Sequence, residues 1–259
     1  MIDLHNGYFV KECERIKSLN SLRFQVFNLI RKEFNIESDD VENVLNNFHE
    51  YADGMSDADF NEKRMLLMKN INENINFKEL IFDSFKDTIL GLLGPDLLVQ
   101  KNCNIVIQRP NDNNPSELHR DAPSHSSYEL VIWIPLVDCF GTKAMYLVNH
   151  KSTQELYDNL GKTQDWQQFE VDAIDKSSIV PVNFGEALFF STAVLHGSHI
   201  NKENETRISL NIRFKNIFSP SGLKNQLQYF ENFLVSDLVK IGSELDFKKL
   251  LAQNKLNES

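Results

Sequence analysis

The feature that most limits the fold is a change of texture near residue 97. From there to residue 218 the chain is a series of short apolar runs: LLVQKNCNIVIQRP, SYELVIWIPLVD, KAMYLVN, SSIVPVNF, EALFFSTAVLH and TRISLNIRF, with Pro, Gly, Asn and Asp clusters between them. Six or more short strands punctuated by turn residues predict a sandwich or barrel instead of a parallel sheet built from strand-helix-strand units.

The flanks read differently. Residues 4–10, LHNGYFV, predict a turn and a short strand. Over 11–94 the apolar positions fall three and four apart, as in Leu22, Val26, Leu29 and Ile30, or Leu66, Leu67, Ile71 and Ile75. That spacing predicts three or four helices, with ends near Ser38-Asp39-Asp40, Gly54 and Gly94-Pro95. Helical spacing returns after 221 through Leu227, Phe230, Phe233, Leu234 and Leu238 before a polar tail. No internal repeat appears. The expectation is one mainly β domain over 1–259: a strand and helices over 1–96, a β core over 97–218, and C-terminal helices over 219–259.

Hydrophobic residues at 41% supply a sizeable core, and 27 basic against 37 acidic side chains give a formal charge of −10. That balance disfavours nucleic acid and anionic membrane surfaces as partners. The N-terminus lacks a basic start followed by an apolar run, and no stretch reaches the roughly 18 apolar residues of a membrane span. Cys13, Cys103 and Cys139 form no CxxC or zinc-like spacing, which fits a reducing compartment. A soluble cytoplasmic protein is expected.

Among seven His, His119 is the informative one, because it opens His119-Arg120-Asp121. Residues two apart on a strand share a face, so this triplet can offer an imidazole and a carboxylate to one metal ion. The pattern alone is common by chance. Its weight comes from FGEALFFSTAVLHGSHINKENETRISLNIRF, where His196 follows an apolar strand and Arg207-Ile208-Ser209 comes eleven residues later. Two His and a carboxylate make the facial triad that holds non-haem Fe(II) with three positions open. A buried Arg suits the distal carboxylate of a keto-diacid.

On these residues the chain resembles the Fe(II)- and 2-oxoglutarate-dependent oxygenases, particularly the phytanoyl-CoA dioxygenase-like branch. The combination IQRP, ELHRDAP, YELVIWIPLVD and MYLVNH is similar to oxygenases of bacterial surface-carbohydrate gene clusters. The likeness covers roughly residues 97–215. It departs from the branch at Val148-Asn149-His150, where a Pro-Gly-Ser-His loop is common. The resemblance implies a double-stranded β-helix, the cupin-like jelly roll, as the core. It implies His119, Asp121 and His196 as iron ligands, Arg207 as partner of the distal 2-oxoglutarate carboxylate, and Ser198 and Ser209 as hydroxyl donors to it. Gln108 is a weaker candidate for the same ligand or the substrate. Iron, 2-oxoglutarate and O2 are the implied cofactor and co-substrates, and retention of Asp121 favours C–H oxidation over halogenation.

Other residues have plainer readings. His199 should face away from His196, His125 should be a solvated loop residue, His150 structural, and Trp133 core. Cys103 and Cys139 should be buried small hydrophobes. Phe184, Phe189, Phe190 and Phe214 are expected to line a dry core around the metal, and Phe24, Phe27, Phe230 and Phe233 to pack from helices onto the sheet. The expected substrate is a small polar molecule, a sugar or a phosphorylated or nucleotide-linked sugar for surface or capsule polysaccharide, with Arg109, Arg120 and Arg213 as phosphate contacts. The competing class is a non-redox cupin-like metal- or sugar-binding protein or epimerase. That class has no need of Arg207 at this spacing. The flanking helices can buttress the sheet, form a lid or build a homodimer interface, and the sequence leaves these open.

Overall fold

The computed structural model describes residues 4–224 and 226–244. After a turn at Gly7, β1 (Tyr8–Glu12) leads into α1 (Ile16–Phe34). The buried face of α1 is Leu19, Leu22, Val26, Phe27, Ile30 and Phe34, a helical stripe. It ends at Asn35 in the left-handed region, whose N–H donates to the Arg31 carbonyl. Five helices follow: α2 (Val41–Asn46), α3 (Phe48–Tyr51), α4 (Asp57–Asn74), α5 (Phe77–Ser84) and α6 (Lys86–Leu93). Asp40 and Ser56 cap α2 and α4 by accepting from the N–H groups of Asn43 and Asp59. The sequence reading expected three or four helices. Non-helical φ/ψ at Asn47 and Phe85 divides two of the expected segments into short pairs.

The strands are β2 (Leu97–Gln100), β3 (Asn104–Gln108), β4 (Leu130–Pro135), β5 (Met145–Leu147), β6 (Ser178–Val180), β7 (Glu186–Ser191), β8 (His196–Ser198), β9 (Arg207–Asn216) and β10 (Phe230–Leu234). A larger antiparallel sheet runs β1-β7-β4-β9-β2-β10, with β3 also paired to β9. The ten-residue β9 lies against β4 on one side. On its other side β2 takes Phe214–Asn216 and β3 takes Arg207–Asn211. The smaller sheet is β6-β5-β8. The mixed helix and antiparallel-sheet architecture agrees with the strand texture after residue 97.

Two regions differ from expectation. Between β5 and β6 the chain forms α7 (His150–Thr163) and α8 (Trp166–Asp175), inside the span read as uninterrupted β core. Asn149 caps α7 by accepting from the Ser152 N–H, and the pair buries its own cluster of Leu156, Leu160, Phe169 and Ala173 with Val148 and Leu195. After 221, a one-turn helix α9 (Gln226–Tyr229) gives way to β10 and then α10 (Asp237–Glu244). Phe230–Leu234 is therefore a strand, because the open edge of β2 offers backbone partners that an isolated helix does not use. The polar tail from 245 lies outside the described residues. None of the helices among the described residues is long and apolar enough to cross a membrane.

The phenylalanines form much of the core. Phe189 stacks on Phe9 with centroids 5.2 Å apart and meets Phe85 edge-on at 5.4 Å. Phe27 is buried as expected, but Phe24 is 54% exposed and does not join the sheet. Phe189→Ala is expected to destabilise the protein by about 3–5 kcal/mol. Chemical denaturation checks this, and a loss under about 1 kcal/mol would mean that the site collapses around the gap.

Candidate active site

The HxD strand and the strand after β7 meet directly. His119 and His196 form an antiparallel bridge, each N–H donating to the other's carbonyl at 3.0 and 2.8 Å. Residues opposed in this way project their side chains to one side, and the imidazole centroids are 4.3 Å apart. Asp121, two residues on, completes a group whose ligand atoms all lie within 4.8 Å of one another.

Each ring has one nitrogen engaged by a backbone carbonyl. Nδ1 of His119 lies 2.8 Å from the Glu117 carbonyl, and Nδ1 of His196 lies 3.0 Å from the Val194 carbonyl. A carbonyl only accepts, so Nδ1 carries the proton and the Nε2 lone pair is left free. Burial, followed by the nearby His119, pushes His196 down to about 4, so the ring is neutral at neutral pH. Burial works to raise the Asp121 carboxyl, but Arg213, with His196 and His119, outweighs it and holds the group below the ordinary carboxylate range.

The triad lines a cavity of about 1270 Å³ between the two sheets, with α4 and the loop after β3 at its mouth. Alternate residues of β9 form its floor: Arg207, Asn211 and Arg213 line it, and Ser209 lies on the same strand face. Arg207 is buried, yet its Nε and Nη1 have no hydrogen-bond partner among the described residues, and the same is true of Ser209 Oγ, Gln108 Oε1 and Asn211 Oδ1. Burial lowers the pKa of Arg207. The neighbouring Cys139 thiol is pushed up to about 12 by burial, so it stays neutral and does not balance the guanidinium. Unpaired buried donors are costly unless a ligand uses them. The donors of Arg207 and Ser209 fit the distal carboxylate of a small diacid, and the triad fits a divalent cation.

Gln108 faces Arg207 across the β3–β9 pair, and its Nε2 donates to the His199 carbonyl at 2.8 Å. Ser198 lines the cavity, but its Oγ accepts from the Ser116 N–H at 2.9 Å. Phe190 lines the cavity and packs on His196 at 4.8 Å, while Val131 and Trp133 are both core and wall. His199 lies past the end of β8 against Tyr146, with centroids 4.7 Å apart. His150 begins α7, and its N–H donates to the Asn6 carbonyl.

The arginine expectations need revision. Arg213 Nη2 donates to Asp121 Oδ2 at 2.7 Å, so this residue serves the triad and is not open to a phosphate. Arg120 stacks on Tyr157 at 4.0 Å. Arg109 reaches the mouth, lying 4.1 Å over Phe60 and pairing with the exposed Asp57. Arg64, one turn beyond Phe60 on α4, also lines the mouth, and the sequence reading missed it. His125 is 4% exposed, not solvated, and is held by Glu129 and Lys224 at 2.8 Å each.

Gly197, between His196 and Ser198, passes so close to Tyr146 and the Ser116 carbonyl that a Cβ would overlap both. Gly197→Ala is expected to displace β8 and weaken metal binding about tenfold or more, an effect of the size seen when ligand positioning is lost. Metal titration of the variant reads this directly; unchanged affinity would show that Tyr146 yields freely.

The sequence profile described as phytanoyl-CoA dioxygenase (PhyH) matches residues 32–209. A comparison with curated protein sequences finds no match. Among solved structures, the chain is similar to SnoK, a non-heme alpha ketoglutarate dependent carbocyclase from nogalamycin biosynthesis, at 14% identity, covering 86% of this chain and 84% of that one with a TM-score of 0.54. It is similar to the apo form of the non-heme monooxygenase ThoJ at 14% identity, 90% and 82% coverage and a TM-score of 0.52. It is also similar to EctD from S. alaskensis, solved with 2-oxoglutarate and 5-hydroxyectoine, at 12% identity, 84% and 74% coverage and a TM-score of 0.54. At such identities these structures speak to the fold, whereas the profile spans most of the chain, and the protein belongs to the phytanoyl-CoA dioxygenase family.

Proposed function

We propose that the protein is an Fe(II)- and 2-oxoglutarate-dependent oxygenase that oxidises a C–H bond of a small polar substrate. The observation that carries this reading is the pair of unpartnered guanidinium donors of buried Arg207 in the cavity that also holds the His119-Asp121-His196 group. A non-redox metal module gains nothing from a buried, unpaired arginine there. The two sheets are read as the walls of a double-stranded β-helix.

His119 and His196 would hold iron through Nε2, and Asp121 through its carboxylate. Arg207 and Ser209 would bind the distal carboxylate of 2-oxoglutarate and thereby orient its other end toward the metal. Gln108 and Asn211 supply further acceptors beside it. When bound, iron would activate O2 as the oxidant, and 2-oxoglutarate would supply two electrons by oxidative decarboxylation to succinate and CO2, taking one oxygen atom of O2 and leaving the other for the substrate. Phe190, Val131 and Trp133 exclude water from the wall beside the metal. Three free thiols support a reducing, cytoplasmic setting.

The substrate reading is a sugar, a phosphorylated or nucleotide-linked sugar, or a similar polar precursor of surface polysaccharide. A cavity of about 1270 Å³ exceeds the roughly 300–1,000 Å³ of pockets for drug-sized ligands, so it has room for 2-oxoglutarate and a sizeable second molecule. At the mouth, Arg109 lies over Phe60 and pairs with Asp57, which is 96% exposed, and an exposed pair of this type is worth about 0–1 kcal/mol. The other donors of Arg109 are the positions where a phosphate would bind, with Arg64 beside them exchanging its bonds to Asn61 Oδ1 and the Ile105 carbonyl for the ligand. A double Arg64→Ala, Arg109→Ala variant is expected to raise KM for a phosphorylated substrate about tenfold with kcat little changed. Turnover of an amino acid or lipid thioester, with no affinity for phosphosugars or nucleotide sugars, would refute this substrate class. The oxygenase reading is tested by anaerobic titration with Fe(II) and 2-oxoglutarate, which should develop a weak visible charge-transfer band. Its absence would end that reading.

A further inference from the structure

The two oxygens of Asp121 have different neighbours. Oδ1 lies 3.8 Å from His119 Nε2, inside the ligand group, whereas Oδ2 accepts from Arg213 Nη2 at 2.7 Å. The other end of the Arg213 fork is fixed as well, with Nη1 donating to the Tyr229 hydroxyl at 3.0 Å and to Gln100 Oε1 at 3.3 Å. A planar guanidinium held on three partners cannot follow the carboxylate if it rotates.

The support extends into the chain beyond residue 209, where the family profile ends. The Tyr229 ring sits edge-on against His125 at 4.7 Å. Lys224 can only donate, so His125 accepts at Nε2 and donates from Nδ1–H to Glu129. The N–H groups of Leu223 and Lys224 donate to the carbonyls of Pro123 and Ser124 at 3.1 and 2.9 Å. Gly222 lies so close to the backbone of His125 and Ser126 that a Cβ would overlap it. These contacts clamp the loop that directly follows Asp121.

The charge of Arg213 acts in both directions, opposing a cation at the site while favouring the ionised Asp121 carboxylate, whereas the geometry of its fork acts in one. We propose that Arg213 is a positioning residue that restricts Asp121 to one metal-facing oxygen, with Tyr229 and the segment around Leu223 and Lys224 holding Arg213 in place. The proposal rests on the oxygenase reading. Without Arg213, Oδ2 is free to join Oδ1 on the metal and take a position that 2-oxoglutarate needs. The metal site then loses nothing, and the co-substrate loses a site.

The test compares Arg213→Met and Arg213→Lys with wild type. Mn(II) affinity is read from the electron paramagnetic resonance of free Mn(II), and 2-oxoglutarate affinity from anaerobic titration of the Fe(II)-loaded protein. In both variants Mn(II) affinity is expected to stay within about threefold or to tighten, while 2-oxoglutarate affinity falls about tenfold or more and the visible band shifts. Lysine keeps the charge but not the fork, so wild-type behaviour of Arg213→Lys would overturn the proposal. A joint fall in Mn(II) affinity, 2-oxoglutarate affinity and thermal midpoint would also overturn it, because that is the mark of a structural role. If neither variant folds, Tyr229→Phe should lower 2-oxoglutarate affinity about threefold with Mn(II) affinity unchanged, and no change there overturns the proposal. A wild-type protein that forms no band with Fe(II) and 2-oxoglutarate would instead defeat the oxygenase reading itself.

Discussion

His119→Ala is expected to leave a folded protein that binds Fe(II) more than about 100-fold more weakly and shows no turnover. His119 is the proposed ligand to test first because its side chain is 43% exposed, so truncation opens little cavity. Loss of a residue that orients a ligand without freeing another ligand atom, as loss of Arg213 would free Asp121 Oδ2, costs about 10–100-fold in metal affinity or activity, so loss of a ligand should exceed the upper end of that range. His196→Ala should abolish activity as well, but it removes a buried ring packed on Phe190 and would lower stability at the same time. Metal affinity near wild type in His119→Ala, measured beside an unchanged thermal midpoint, would remove His119 from the ligand set.

Arg207→Met should act with opposite signs on two measurements. Truncating one partner of a buried charged pair costs about 2–5 kcal/mol, which at the low end is about a 30-fold loss of 2-oxoglutarate affinity. The protein without 2-oxoglutarate should behave differently. There Arg207 is 4% exposed, two of its donors have no partner among the described residues, Cys139 is neutral, and Asp112 acts on the charge without forming a salt bridge. A buried, uncompensated charge is destabilising, so an apolar chain of similar length should raise the thermal midpoint by a few °C, at about 2–4 °C per kcal/mol for a domain of this size. Calorimetry with and without 2-oxoglutarate separates the two effects. If affinity and midpoint both fell, Arg207 would be a structural residue.

The features legible in the sequence are those carried by local period or by residue identity. Turn residues between short apolar runs announced the antiparallel strands, and a spacing of two placed His119 with Asp121 and Arg207 with Ser209. The C-terminal strand was not legible, because Phe230, Phe233 and Leu234 fit a helical stripe as well as an edge strand. The decision is made by the open edge of β2, about 130 residues earlier in the chain. The same limit applied to Arg213. Its place on the β9 face could be read, but Asp121 as its partner depends on how the loop after His119 folds back over the sheet. His125 looked solvated because Pro and Ser surround it, but Glu129 and the returning C-terminal segment with Lys224 and Tyr229 pack against it. Arg64 belonged to a helical region with no sequence link to the metal motif.

The arrangement of the larger sheet has a kinetic consequence. Its outermost strands, β1 and β10, come from opposite ends of the described chain, and Tyr8 pairs with Phe190 while Phe230 pairs with Gln100. Neither edge can zip up from a neighbouring hairpin, so closing each one requires a long loop to be ordered first. During synthesis, β1 waits for β7 to emerge, and the loop bearing Asp121 waits longer still for its C-terminal clamp. Slow, late closure of the loop that carries Asp121, well after most secondary structure has formed, is what such long-range pairing favours.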